Sequence, residues 1–372
     1  MRTTCLSVMA AGLLCVVARP AESGQRAGSG TSPVPRAEAA ELRSLVDGVV
    51  GGKPSGGDAY VKWSGHFMRA ADGRVYVPFT LTLDEVDVGF EAVAMYVRVV
   101  PRGTKSPLDD RHVSGSVLGT PVSAPERQFS RGNPTAGEAS ARLGLMASEL
   151  SAVKPSFEAY FVARVPGKSA SRVLRRALVV APGDYDLYVA VRERPGAATG
   201  GGPKAAVLRQ TLIVPNLAGS EPAMSSIVLA SRVDALATRV SSSTQEDRPY
   251  AFGSAEVFPD ADSTFTRDDV LSVVYFVYNL AVDEGKLPDV TVECRFFRMS
   301  AWEKLFGELA PRRFGRAHAA PVFDFKAGRQ LAVTQAVPLT TFPPDTYEVE
   351  IVVTDNLAGV ATRRMVRFIV EG

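Results

Sequence analysis

Few residues in this sequence have the type and spacing that chemistry requires. The three histidines, His66, His112 and His318, are too dispersed for a local metal motif. Neither a His-Glu-x-x-His helix nor a Cys-x-x-Cys pair occurs, so a zinc site would have to gather ligands from distant strands. The run from Asp260 to Asp269 opens like a calcium loop, but such a loop needs Gly at its sixth position and Glu at its twelfth. Phe265 and Leu271 stand there instead, which predicts a solvated turn before a strand, closed by Thr266 or Asp268. The segment from His112 to Gly119 has no Gly two residues before Ser114 or Ser116, so it is not a nucleophile elbow. Gly51-Gly52-Lys53-Pro54 lacks the leading Gly and the Ser/Thr of a phosphate-binding loop, and Pro54 has no amide to offer. Asp109, Asp110, Asp283 and Glu284 could form a glycosidase-type carboxylate pair only across space, and their neighbours are turn-like. No catalytic residue, metal ligand or cofactor is expected.

Aromatic residues are the remaining chemical lead. Trp63, Tyr96 and Tyr188, with Tyr275 and Trp302, could pave a sugar- or peptide-binding face. Alternation sets Tyr96 and Tyr188 opposite the apolar stripes of their strands, a place where solvated residues are usual. The competing expectation for all of them is packing between sheets or domains.

The N-terminus reads as a secretory signal over residues 1–23: Arg2 supplies the positive end, and about 14 apolar residues run from Cys5 to Ala18. Cleavage fits after Ala18 or after Ser23. A lipoprotein anchor would need a small residue before its cysteine, and Leu14 precedes Cys15. Loss of the signal removes Cys5 and Cys15, leaving Cys294 with no disulfide partner. Cys294 shares an alternating face with Val290, Val292 and Phe296, so it is read as a core residue. An extracytoplasmic location, periplasmic or secreted, follows, with no transmembrane segment after cleavage.

Composition fits a packed protein of more than one domain: 372 residues, 46% hydrophobic and 22% charged. Lys+Arg 42 against Asp+Glu 40 gives a formal charge of +2, too little for a protein that binds nucleic acid through bulk charge. Residues 24–57 read as a flexible leader interrupted by a short amphipathic helix, with Leu42, Leu45, Val46 and Val49 on one face.

From there the period becomes two. Val75, Val77, Phe79, Leu81 and Leu83 alternate with Tyr76, Pro78, Thr80 and Thr82, as a half-buried strand does. Residues 93–99, 185–191 and 207–214 continue the scheme up to a linker at 216–225. It then restarts with Leu271 to Tyr278, apolar on both faces as in a central strand, and continues over 290–297, 330–339, 347–354 and 362–370. Capping boxes at Thr135–Glu138 and Ser300–Glu303 predict two helical insertions, the second carrying Leu305, Phe306 and Leu309 and stopped by Pro311.

The two halves close alike. Pro182-Gly183-Asp184-Tyr185 parallels Pro344-Asp345-Thr346-Tyr347, and each leads into a strand, a turn and a final strand. In immunoglobulin-like sandwiches such a Tyr ties its hydroxyl to nearby backbone, and Tyr185 and Tyr347 are assigned that structural corner. The expected fold is therefore all-β: two tandem immunoglobulin-like β-sandwiches, over 58–215 and 226–372, with short helical insertions.

The stretches Pro249–Gly253, Phe265, Leu271–Asn279 and Tyr347–Asn356 resemble β-sandwich regions of uncharacterised exported bacterial proteins. These are similar to modules that accompany the GWxTD-domain group and von Willebrand A-related secreted proteins. No Gly-Trp-x-Thr-Asp motif or von Willebrand metal site is present, so the resemblance implies a fold and a compartment and carries over no catalytic residue. The expected function is a non-catalytic binding or structural module whose partner is another extracytoplasmic protein. The alternatives are a carbohydrate-binding module with a glycan partner, and a hydrolase whose site is assembled from distant loops.

Overall fold

The computed structural model describes residues 35–54, 61–83, 90–102, 154–164, 172–195, 205–245, 247–301, 304–315, 323–324 and 326–372. The expected signal, the helix expected at 135–153, the glycine-rich stretch 196–202, and His112, His318, Asp109, Asp110 and Trp302 lie outside these residues. Among the described residues no helix is long and apolar enough to cross a membrane.

The chain is all-β: the described residues form four sheets, with a 15-residue helix, α1 (Arg36–Val50), laid across the first and a single helical turn at Ser242–Gln245. Sheet 1 has the order β5 (Phe157–Arg164), β4 (Phe90–Pro101), β7 (Gly183–Pro195), β8 (Ala205–Val214). Sheet 2 centres on β3 (Val75–Leu83), flanked by β1 (Val61–Gly65), β2 (Met68–Arg69) and β6 (Arg172–Val180). Sheet 3 runs β11 (Ala251–Phe252), β12 (Ala255–Pro259), β10 (Val228–Ala235), β14 (Val270–Tyr278), β18 (Gln330–Pro338), β17 (Phe323–Asp324), with β9 (Ala223–Met224) also on β14. Sheet 4 runs β13 (Thr264–Thr266), β20 (Val360–Glu371), β19 (Asp345–Asp355), β15 (Val290–Arg298), β16 (Lys304–Phe314). Apart from the parallel contact of β13 with β20, the pairings are antiparallel.

Side-chain alternation orders the layers. On β4, Val93, Met95, Val97 and Val99 point into a core shared with Val75, Val77, Phe79 and Leu81 of β3. The opposite face, with Ala94, Tyr96 and Val100, meets Leu42, Val46 and Val49 of α1. On β14, Leu271, Val273, Tyr275 and Val277 face sheet 4, where Val292, Cys294, Val349, Ile351 and Phe368 complete a second core. Its other face, Val274, Phe276 and Tyr278, belongs to the core of sheets 1 and 2. The layers therefore stack as α1, sheet 1, sheet 2, sheet 3, sheet 4, and one apolar core runs across the segment expected to be a linker. That segment is itself tied down: Leu217 is buried, and the Asn279 side-chain amide donates to the Leu217 and Glu221 carbonyls.

Three local expectations are corrected. First, β3 is covered on both faces, because Tyr76, Pro78 and Thr80 turn toward sheet 3 instead of solvent. Second, among the described residues after Ser300 there is no α-helix. A 3-10 turn (Met299–Ala301) precedes β16, which pairs with β15 along its length, with two irregularities of register. Pairing overrides the local capping signal, and Phe306 is held against Phe342 and Tyr347. Third, the leader's helix is part of the packed fold. Its buried stripe covers sheet 1, and ion pairs Asp47–Arg98, Glu38–Arg194, Glu41–Arg192 and Arg43–Glu158 flank it.

Pro78 explains one further feature. β6 follows β3 for its full length on one side, so β1 and β2 share the other. The ladder breaks between Gly65 and Met68, opposite Val77 and Pro78, where Pro78 has no N–H to give. His66 lies at this break: its amide still donates to the Pro78 carbonyl, while its side chain reaches Tyr250 beside sheet 3.

Candidate functional site

The structure separates the aromatic residues that sequence grouped. Trp63 is partly buried and stacks on Phe79 with ring centroids 4.0 Å apart. Tyr96 is fully buried under α1, stacked on Tyr160 at 4.5 Å, and its hydroxyl donates to Glu158 Oε1 at 2.9 Å. Tyr188 lies in the same buried layer, with the Arg209 guanidinium 5.7 Å from its ring centre. Burial pushes both phenols above the ordinary tyrosine range. Tyr275 is enclosed between sheets 3 and 4. Trp63, Tyr96 and Tyr188 therefore do not form an exposed ligand face, because an apolar helix stripe occupies the surface two of them would have lined. The stripe of α1 and the aromatic outer face of β4 and β7 were both legible in sequence; their complementarity was the missed signal.

The two repeat-end tyrosines make matching bonds. The Tyr185 hydroxyl donates to the Ala181 carbonyl at 2.9 Å, and the Tyr347 hydroxyl donates to the Pro343 carbonyl at 2.7 Å. Each bond spans four residues back along the chain and fixes the entry to a central strand of its sheet.

Other candidates are occupied by structure. Cys294 is buried, and burial pushes its thiol up to about 12, so little thiolate exists at neutral pH. Asp260 and Asp262 both accept the Thr264 amide, and Asp269 accepts from the Thr266 amide and hydroxyl. This is a turn braced by its own carboxylates, closed by Asp269 where Thr266 or Asp268 had been expected to close it. Asp283 accepts the Leu287 amide and closes another turn. Among the described residues no three His, Cys, Asp or Glu side chains are grouped as metal ligands would be.

A cleft that sequence did not signal opens where the ends of sheets 1 and 2 meet the 247–258 segment of sheet 3. Its volume is about 570 Å³, and Val162, Ala163, Leu174 and Val257 are among its apolar lining residues. Four guanidinia line it, from Arg175, Arg176, Arg194 and Arg248. Three have carboxylate partners. Arg248 makes a two-point pair with Glu256, Arg176 lies 3.6 Å from Asp247, and Arg194 holds Glu38 of α1 through bonds of 2.9 and 2.7 Å.

Tyr250 forms the inner wall. Its hydroxyl donates to the Pro78 carbonyl at 3.2 Å and lies 2.8 Å from His66 Nδ1. With that proton directed to Pro78, a neutral His66 donating from Nδ1 completes the chain of bonds. Part of the His66 residue reaches solvent, but its ring is enclosed by protein, and burial pushes its pKa down to about 4. Arginines set among aliphatic side chains suit recognition of an acidic, partly apolar group.

No protein-family model matches the chain, and no curated protein does. Among solved structures the chain is similar to a calcium-binding mutant of Bacteroides uniformis beta-glucuronidase 2, at 10% identity and a TM-score of 0.21. The match covers 79% of this chain and 26% of the other, so the chain spans about a quarter of that protein's length. A likeness of that size carries no functional information.

Proposed function

We propose that this chain is an exported, non-catalytic binding module for an extracytoplasmic protein partner. The observation that carries the reading is the cleft. Both halves of the chain build it, aliphatic side chains stand among its lining, and its charged side chains are guanidinia and carboxylates largely matched to one another. Such a surface is suited to hold a segment of another molecule, with affinity from buried apolar contacts and orientation from the arginines. The signal-like N-terminus and the resemblance to exported sandwich modules support the compartment.

The test is capture of a partner from envelope and secreted fractions of the native host by the full chain, compared with Val173→Trp. Val173 lines the cleft, and an indole there fills it without altering its charges. One stoichiometric partner that binds the wild type and is lost from Val173→Trp is the expected result. Absence of any partner, or equal capture by both chains, overturns the reading.

A further inference from the structure

We propose that the open edge of β20 takes up an extended acidic segment of a partner protein, which adds to sheet 4 as a further strand with a carboxylate facing Arg364. This surface is separate from the cleft and goes beyond it. β20 pairs with β19 from Val360 to Val370, but on its other side β13 reaches only Ile369 to Glu371. The Ile369 amide donates to the Ser263 carbonyl on that outer side. Successive residues of a strand direct their backbone groups to opposite neighbours, so the N–H and C=O of Arg363, Met365 and Arg367 face the same way as those of Ile369. They have no partner among the described residues, which leaves an edge of ready donors and acceptors. The edge is reachable: Met365 is 45% exposed, and the Arg363 and Arg367 side chains are 68% and 64% exposed.

Charge identifies the segment that fits. β20 carries Arg363, Arg364 and Arg367, and no acidic residue before Glu371. On the outer face of sheet 4, Arg363 is matched to Glu350 and Arg367 to Glu348 of β19. Arg364 is not matched. Its side chain turns toward sheet 3, where Nε donates to the Met224 carbonyl at 2.9 Å, and it makes no ion pair among the described residues. Partial burial holds its guanidinium below the ordinary arginine range, as for a cation without a counter-charge. An added strand sets one residue directly opposite Arg364 on the same face, and an aspartate or glutamate there supplies the missing anion through a charge-assisted bond. Backbone pairing gives the affinity, and Arg364 sets the sequence preference. A second copy of this chain fits poorly. Antiparallel pairing of two β20 edges centred on Met365 sets Arg363 against the Arg367 of the other copy, and like charges directly opposite repel.

The probes that test this are an acetylated, amidated peptide of sequence Thr-Val-Thr-Glu-Thr-Val-Thr and its glutamine counterpart. The full chain, labelled with ¹⁵N-arginine, is titrated with each, and water-exchange NMR follows three backbone amides, identified by their loss in Arg363→Lys, Arg364→Lys and Arg367→Lys. With the glutamate peptide the Arg363 and Arg367 amides should become protected from exchange. The Arg364 amide, which faces β19, should not change. Affinity should weaken about ten- to a hundred-fold with the glutamine peptide and in Arg364→Gln, as for loss of one charge-assisted bond. Binding should vanish in Met365→Pro, which removes an edge donor and blocks the ladder. Thermal melting of each variant establishes that it is folded, and Arg364→Gln decides the matter if the proline variant does not fold.

No protection of the two amides by the glutamate peptide overturns strand addition. Equal affinity for the two peptides overturns the acidic occupant. Protection in the free chain that rises with its own concentration makes the occupant a second copy and overturns the partner segment. Val173→Trp, which fills the cleft, should bind the peptide as wild type does; loss of binding there would place the peptide in the cleft and overturn the edge site. Because a free peptide reads this site, its failure leaves the cleft reading standing.

Discussion

The hydroxyl of Tyr250 lies 2.8 Å from Nδ1 of His66, a residue 184 positions earlier in the chain. This contact joins sheet 2 to the edge of sheet 3, and both residues reach it for identifiable reasons. His66 sits at the ladder break opposite Pro78, and Tyr250 leads into β11. The Pro78 carbonyl accepts from both the His66 amide and the Tyr250 hydroxyl, so a proline in mid-strand becomes the anchor of the junction.

Burial of the His66 ring at this junction makes stability depend on pH. His66 is held near pKa 4 when folded, against an unfolded value of 6.5. The unfolded chain therefore binds a proton that the folded chain refuses between these values, and stability falls as pH drops through the window. Above pH 6.5 this contribution is fully present; below pH 4 about 3 kcal/mol has been lost. Urea unfolding of wild type and His66→Gln at pH 7.5, 5.5 and 4 reads it directly. Wild type should lose more stability than the variant on acidification, and parallel pH profiles would refute the assignment.

A second junction depends on Gly328. Its φ is +75°, and a Cβ there would meet Arg69 Nη1 at 2.3 Å. That guanidinium donates to Asn279 Oδ1 at 2.7 Å, while the Arg69 amide donates to the Tyr278 hydroxyl. Gly328→Ala should cost about 2–4 kcal/mol from backbone strain and the displaced arginine together. Adding Arg69→Ala to Gly328→Ala should remove the clash but not the strain, so a double-mutant cycle by chemical denaturation should give a clear non-additive term. Simple additivity would show that the two residues do not meet.

The helix over sheet 1 is open to a third test. Leu42 is fully buried against the layer containing Tyr96 and Tyr188. Leu42→Ala should destabilise the chain by about 2–5 kcal/mol, as in other cores. Protease cleavage within 36–50 should accelerate in the variant while sheets 3 and 4 keep their hydrogen-exchange protection. Unchanged stability would mean that α1 is not docked.

The paired tyrosine corners make a matched prediction. Tyr185→Phe and Tyr347→Phe each delete one hydroxyl-to-carbonyl bond and little else, at a cost of about 1 kcal/mol apiece. The two values should agree within a few tenths of a kcal/mol if the corners are structural equivalents. A large loss at one and none at the other, measured by thermal unfolding, would separate their roles.

Much of this architecture was legible from periodicity, because alternation is a local property of a strand. Val93 to Val99, Leu271 to Tyr278 and Tyr347 to Thr354 are strands as the pattern required, and the double-sided apolarity of β14 announced a layer on each face. The stripe of Leu42, Val46 and Val49 announced a helix face in want of a partner. Which surfaces those faces would meet was not a local property. The tertiary structure alone decided that α1 covers Tyr96 and Tyr188, that Thr80 and Tyr76 turn inward, and that Leu305 to Phe314 follows β15 as a strand. The cleft was invisible for the same reason: Arg175 and Tyr250 stand 75 positions apart, and only the stacking of sheet 3 on sheet 2 brings them to one wall. Sequence determines which side of each strand seeks burial; the order in which the sheets stack determines what is buried against it.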